Sequence, residues 1–83
     1  MNLFEKLKNN LISSAGNVNR TAADKDSNRN RVNYGCASAY ASVLRELGNE
    51  IDIACWEDSG YLKIEKIVFD GDVINFNAER TEK

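Results

Sequence analysis

Gly35-Cys36-Ala37-Ser38-Ala39-Tyr40-Ala41-Ser42-Val43-Leu44-Arg45-Glu46-Leu47-Gly48 is the most regular stretch of the chain. Ala37, Tyr40, Ala41, Leu44 and Leu47 recur at i, i+3, i+4, i+7 and i+10, which draws one apolar stripe along a helix. Cys36 and Val43 widen the stripe, while Ser38, Ser42, Arg45 and Glu46 fall opposite. Gly48 then stops the helix, because glycine accepts the left-handed conformation that a helix end favours. Strand-like alternation begins directly after Gly48. The helix is therefore expected to lie on a sheet made by the C-terminal part of the chain.

That sheet is legible as three strands. Ile51, Ile53 and Cys55 alternate with Asp52, Ala54 and Trp56, the period-2 pattern of a half-buried strand. Glu57-Asp58-Ser59-Gly60 reads as a turn, which would pair Trp56 with Tyr61, Cys55 with Leu62 and Ile53 with Ile64. Asp70-Gly71 is a favoured hairpin dipeptide. It pairs Phe69 with Asp72, Val68 with Val73 and Ile67 with Ile74. The two hairpins disagree by one residue, because strict alternation from Ile64 would turn Ile67 and Phe69 outward. One extra residue at Glu65-Lys66, a β-bulge, removes the conflict. With it, Ile51 comes opposite Ile67. The inner face then reads Ile51, Ile53, Cys55, Leu62, Ile64, Ile67, Phe69, Ile74 and Phe76.

Upstream, Asn2 can cap a first helix with Leu3, Phe4, Leu7, Leu11 and Ile12 on its apolar side. Ser13-Ser14-Ala15-Gly16-Asn17 reads as its end. Residues 17–33 are rich in Asn, Asp and Arg, with Val18 and Val32 as their large apolar members. A structureless loop of that length is rare in a compact domain. Asp26 or Ser27 can cap a helix, so the main helix is expected to begin near Asp26 to Arg29. The extension puts Val32, Cys36, Tyr40, Val43 and Leu47 in line. In either case an exposed Arg/Asn surface is expected. The fold class is α+β: two N-terminal helices packed on a three-stranded antiparallel β-meander, in the order ααβββ, as a single small domain over 1–83. The expected boundaries are a helix over about 2–13, an Asn/Arg-rich segment over 14–28, and the main helix over about 29–48. Strands are expected over about 50–57, 61–69 and 73–77, then a polar tail over 78–83. The long helix would cross the inner face and the short one would cover a flank.

Composition narrows function. There is no histidine and no proline. The first absence removes the commonest general base and metal ligand. Cys36 and Cys55 sit in apolar patterns and read as buried free thiols without an activating base. No phosphate-binding glycine loop occurs, so no catalytic residue, cofactor or metal is assigned and an enzyme is not expected. Leu3 to Ile12 is broken by charged and amide side chains and does not read as a leader. No run approaches a membrane span. The cytoplasm is the expected location, with no membrane partner.

The charge of −2 is unevenly distributed: residues 1–48 hold seven Lys/Arg and four acids, residues 49–83 four Lys/Arg and nine acids. Mutual attraction of the halves explains that simply; a binding surface explains it more specifically. Glu50, Asp52, Asp70 and Asp72 gather at one end of a meander, but without the spacing of a calcium loop. Trp56 and Tyr61 on the outer sheet face, beside Glu57 and Asp58, have the character of an interface anchor. The expected function is a small intracellular protein-interaction module that binds through Trp56, Glu57, Asp58 and Tyr61, self-association included. By size and acidity it compares with inhibitors or accessory factors of phages and mobile elements, with nucleic-acid-targeting machinery as one kind of target. The alternative is a nucleic-acid-binding module that uses Arg20, Arg29 and Arg31 of segment 17–33. Its basic patch is interrupted by Asp24 and Asp26, and the pI near 5.0 is low for that role. A homodimeric structural protein is the second alternative.

Overall fold

The computed structural model describes residues 2–76. Asn2 opens the first helix, its side-chain oxygen accepting the Glu5 N–H at 2.8 Å. This helix, α1, spans Leu3–Ala23, so it does not end near Ser13 as the sequence suggests. The residues that read as a break are instead part of the packed face: Leu11, Ser14, Ala15, Val18, Thr21 and Ala22 are buried at helical spacing. Small side chains there let a neighbouring helix approach closely. The Thr21 hydroxyl is satisfied within the helix by the Asn17 carbonyl at 2.7 Å. Gly16 points into open space; its propensity cost of about 1 kcal/mol is outweighed by packing on the opposite side.

A short turn at Asp24–Asp26, with Lys25 at φ 58, reverses the chain into α2, Ser27–Glu46. The Asp26 carboxylate caps it by accepting the Arg29 N–H at 3.1 Å. Gly48 comes after its end at φ 101. The two helices are 21 and 20 residues long. They pack side by side as an antiparallel pair, which replaces the expected long helix with a short flanking one.

The strands β1 (Ile51–Asp58), β2 (Tyr61–Phe69) and β3 (Asp72–Asn75) form an antiparallel sheet in the order β1-β2-β3. Both hairpins turn through two residues at positive φ, Ser59-Gly60 (56 and 86) and Asp70-Gly71 (49 and 90), which suits the right-handed strand twist. The second hairpin has the register read from the sequence, Phe69 opposite Asp72 and Ile67 opposite Ile74. The first does not. A tight Ser59-Gly60 turn replaces the four-residue one, so Tyr61 lies opposite Asp58 and Trp56 opposite Lys63. The slip is two residues, so each side chain keeps its face. Ile51 meets Phe69 instead of Ile67. The bulge is present: Ala54 pairs with Lys66 and Cys55 with Ile64, leaving Glu65 as the extra residue.

One core results. Leu11, Ala15 and Val18 of α1, Ala37, Ala41 and Leu44 of α2, and Ile51, Ile64, Ile67 and Phe69 of the sheet are buried together. All four sheet members belong to the inner face, so both helices lie on that side. The cysteines do not join them; Cys36 and Cys55 are both exposed. The buried side of α2 runs through Asn30, Ala37, Ala41 and Leu44, which turns Cys36 outward. Cys55 lies on the edge strand, its sulfur 3.4 Å from the Tyr34 hydroxyl. Asn77 and the tail over 78–83 lie outside the described residues.

β2 is longer than β3, and two asparagines deal with the excess. β3 pairs with β2 only from Lys66 to Phe69. The backbone groups of Leu62 and Ile64 therefore point past its end, where unpaired groups would be costly. Asn19 of α1 accepts from the Ile64 N–H at 2.7 Å and donates to its carbonyl at 2.9 Å. Asn30 of α2 does the same for Leu62, at 2.8 and 2.9 Å, and also donates to the Val18 carbonyl at 2.9 Å. Each carboxamide stands in for one residue of a missing strand and fixes a helix to the sheet edge. The exposed Asn surface expected from segment 17–33 is thereby corrected: Asn30 is fully buried.

Candidate interaction surface

The outer face of the sheet is set by alternation. Asp52, Ala54, Trp56 and Asp58 of β1 face outward opposite Val68, Lys66, Lys63 and Tyr61 of β2. Val73 of β3 lies beside Val68. Trp56 is half-buried and Val73 is 59% exposed. The result is an apolar strip, Ala54, Trp56, Val68 and Val73, bordered by charges of both signs.

At the tip of the first hairpin this face is rigidly supported. Lys63 reaches Asp58 at 3.3 Å, with side-chain exposures of 24% and 20%. Pairs so shielded from water hold their geometry better than exposed ones. The Tyr61 hydroxyl donates to the Lys25 carbonyl at 3.3 Å, and Arg31 donates to the Gly60 carbonyl at 3.2 Å. The turn between the helices and the first part of α2 thus fasten the tip. Ala22, Ala23 and Lys25 then face Asp58, Ser59, Tyr61 and Lys63 across an open depression of about 250 Å³.

Of the partner-binding residues expected from sequence, Trp56, Asp58 and Tyr61 share this face. Trp56 and Tyr61 are diagonal neighbours and not a direct pair. Glu57 alternates to the helix side, opposite Leu62, where it is exposed. Asp58 is engaged by Lys63, so it serves as support more than as a bare charge. Sequence reasoning misses Lys63 as the direct neighbour of Trp56. A signal for it exists: Ser59-Gly60 is itself a two-residue hairpin dipeptide.

The three arginines have different surroundings. Arg20 is exposed in the last turn of α1. The Arg29 guanidinium lies 3.7 Å from Asp26, with its side chain 80% exposed. Arg31 is held by the hairpin tip. With Asn19 and Asn30 consumed by the sheet edge, fewer amides are left to read base edges.

At the opposite end of the sheet, Asp70 accepts the Glu50 N–H at 2.7 Å and its own N–H donates to the Glu50 carbonyl at 2.7 Å. That carboxylate stabilises a turn. Among the described residues no group of three or more His, Cys, Asp or Glu side chains is placed to hold a metal ion. Nor, among them, is any helix long and apolar enough to cross a membrane. Tyr34 has a raised pKa, because its hydroxyl bonds the Cys55 thiol and is partly buried. It stays protonated at neutral pH.

Compared with protein-family models, curated proteins and solved structures, the chain matches none of them.

Proposed function

We propose that the protein is a non-catalytic interaction module that receives a protein partner on the outer face of its sheet, with Trp56 as the anchor. One observation carries the reading: both helices pack on the inner face, leaving Ala54, Trp56, Val68 and Val73 as an apolar strip on the other. A large aromatic in an apolar strip, ringed by Lys63, Lys66, Asp52 and Asp58, has the anatomy of an interface with a desolvated centre and a polar rim. A phage-type inhibitor or accessory factor, acting inside the cell on machinery that targets nucleic acid, is one setting that its size and acidity suit.

Affinity capture with the wild-type chain, compared with Trp56→Ala and Val73→Glu, tests this. Both variants are expected to keep the wild-type melting temperature within a few degrees and to lose the captured partner. Arg29→Ala keeps it. Retention of the partner by both outer-face variants would contradict the proposal.

A further inference from the structure

β1 and β2 differ in how their outer edges are closed. The tight Ser59-Gly60 turn closes on the Asp58–Tyr61 pair, which exchanges backbone hydrogen bonds. By the alternation of an antiparallel ladder, Asp52, Ala54, Trp56 and Asp58 point their backbone groups into β2. Those of Ile51, Ile53, Cys55 and Glu57 point the other way. The Ile51 carbonyl is taken by Arg45, whose Nε and Nη2 donate at 3.0 and 2.7 Å. Among the described residues, nothing bonds the outward amides and carbonyls of Ile53, Cys55 and Glu57. α2 does not cover them: Cys55 and Glu57 are exposed, and Tyr34 reaches the Cys55 sulfur and not its backbone. The excess of β2 is closed by Asn19 and Asn30; the middle of β1 has no such residues.

We propose that this open edge of β1 receives an extended, basic segment of another protein, which adds to the sheet as a further strand. Edge strands are commonly guarded by Lys, by Pro or by a bulge of their own. β1 has no Lys, Arg or Pro, and the extra residue of the bulge, Glu65, belongs to β2. Its guard is acidic: Asp52, Glu57 and Asp58, of which Asp58 is paired with Lys63. A guard of a single sign is selective. A second copy brings the same acids and no base. A two-fold pair centred on Cys55 would set Asp52 against Asp58 of the second copy in both halves, and like charges directly opposite are destabilising. A strand carrying Lys or Arg meets the reverse condition. Asp52 on the outer side and Glu57 on the inner side are both exposed and present charge to it from each face. Backbone pairing then supplies affinity and the alternating side chains supply the choice of partner. The added strand would lie beside Ala54 and Trp56, so it extends the outer-face contact proposed above without depending on it.

The probe is a peptide of alternating lysine and valine, about eight residues long, titrated at low salt into the isotope-labelled full chain and followed by NMR. A glutamate–valine peptide is the control. The Ile53, Cys55 and Glu57 amides are expected to shift and to gain exchange protection. The lysine peptide is expected to bind with a Kd below about 1 mM and at least about tenfold tighter than the control. Methylating all of its backbone nitrogens keeps the charge and removes the donors, and should weaken binding by at least about tenfold. Asp52→Lys combined with Glu57→Lys should reverse the preference between the two peptides at a melting temperature within a few degrees of wild type. Peptide binding at the edge by a chain whose Trp56→Ala variant keeps its captured partner leaves this proposal standing and removes the outer-face one. Equal binding of the two peptides, undiminished binding of the methylated peptide, or unmoved Ile53, Cys55 and Glu57 amides overturns the proposal.

Discussion

Two asparagines and two arginines of residues 17–33 look alike in the sequence and behave in opposite ways in the fold. Asn19 and Asn30 are turned inward and close the edge of β2. Arg20 and Arg29 stay in solvent, where Arg29 meets only a partly exposed Asp26. The difference is one of reach and desolvation. A carboxamide is neutral, carries a donor and an acceptor side by side, and matches one residue of a strand. A guanidinium has no acceptor and is expensive to bury. Polar composition alone therefore does not identify a binding surface; part of it can be backbone replacement.

The largest expected effect tests the buried half of this contrast. Asn30→Ala removes three hydrogen bonds and leaves the Leu62 N–H and carbonyl without their partner, while the Val18 carbonyl keeps the Thr21 hydroxyl. A loss of about 3–4 kcal/mol is expected in urea unfolding, a large part of the stability of a domain this size. Asn19→Ala removes two bonds at a half-buried site and is expected to cost about 2 kcal/mol. If both losses fall below about 0.5 kcal/mol, the two amides are ornaments of the edge and the contrast fails.

The arginines supply the small end. Arg20→Ala and Arg29→Ala should each change stability by less than about 0.5 kcal/mol, because both side chains are exposed and the exposed Arg29–Asp26 pair contributes little. A low-salt gel shift with DNA and RNA sharpens the same point: no binding is expected from the wild type. Binding that is lost in the Arg20→Ala, Arg29→Ala double variant would favour the nucleic-acid alternative.

Tyr34 gives the weakest handle. Its pKa is raised in the folded state by the Cys55 contact and by burial. The associated stability is present below the ordinary tyrosine pKa, near 10, and is lost as the pH rises through the folded value, because the unfolded chain ionises first. Thermal unfolding measured from neutral to alkaline pH should show this decline, and Tyr34→Phe should flatten it.

Much of the architecture is legible in the sequence because it rests on periodicity. The order of elements, the Asp70-Gly71 hairpin and the bulge at Glu65 come from apolar residues that must share a face. The features that escape have identifiable physical reasons. Ser13 to Asn17 resembles a helix end because Ser, Gly and Asn favour turns and caps over helix interiors, yet Ser14 and Ala15 are buried in the packed face of α1. The first hairpin slips by two residues, an error that facial patterning cannot detect. Cys36, Val43 and Leu47 read as one broad stripe with Ala37, Ala41 and Leu44. On the helix they form a second side, and only the placement of α2 decides which side the sheet takes. Asn30 has no apolar signature at all. Trp56 locates the candidate partner face, but its neighbours depend on the register.

Two side-chain amides complete the edge of β2, and amide hydrogen exchange tests this residue by residue. The Leu62 and Ile64 N–H groups are expected to be protected in the native chain. Asn30→Ala should selectively release Leu62 and Asn19→Ala should selectively release Ile64, while the Lys66 and Val68 amides, which point into β1, stay slow. Leu62 and Ile64 amides that exchange as fast as unstructured chain in the native protein would contradict the assignment of these two asparagines as strand replacements.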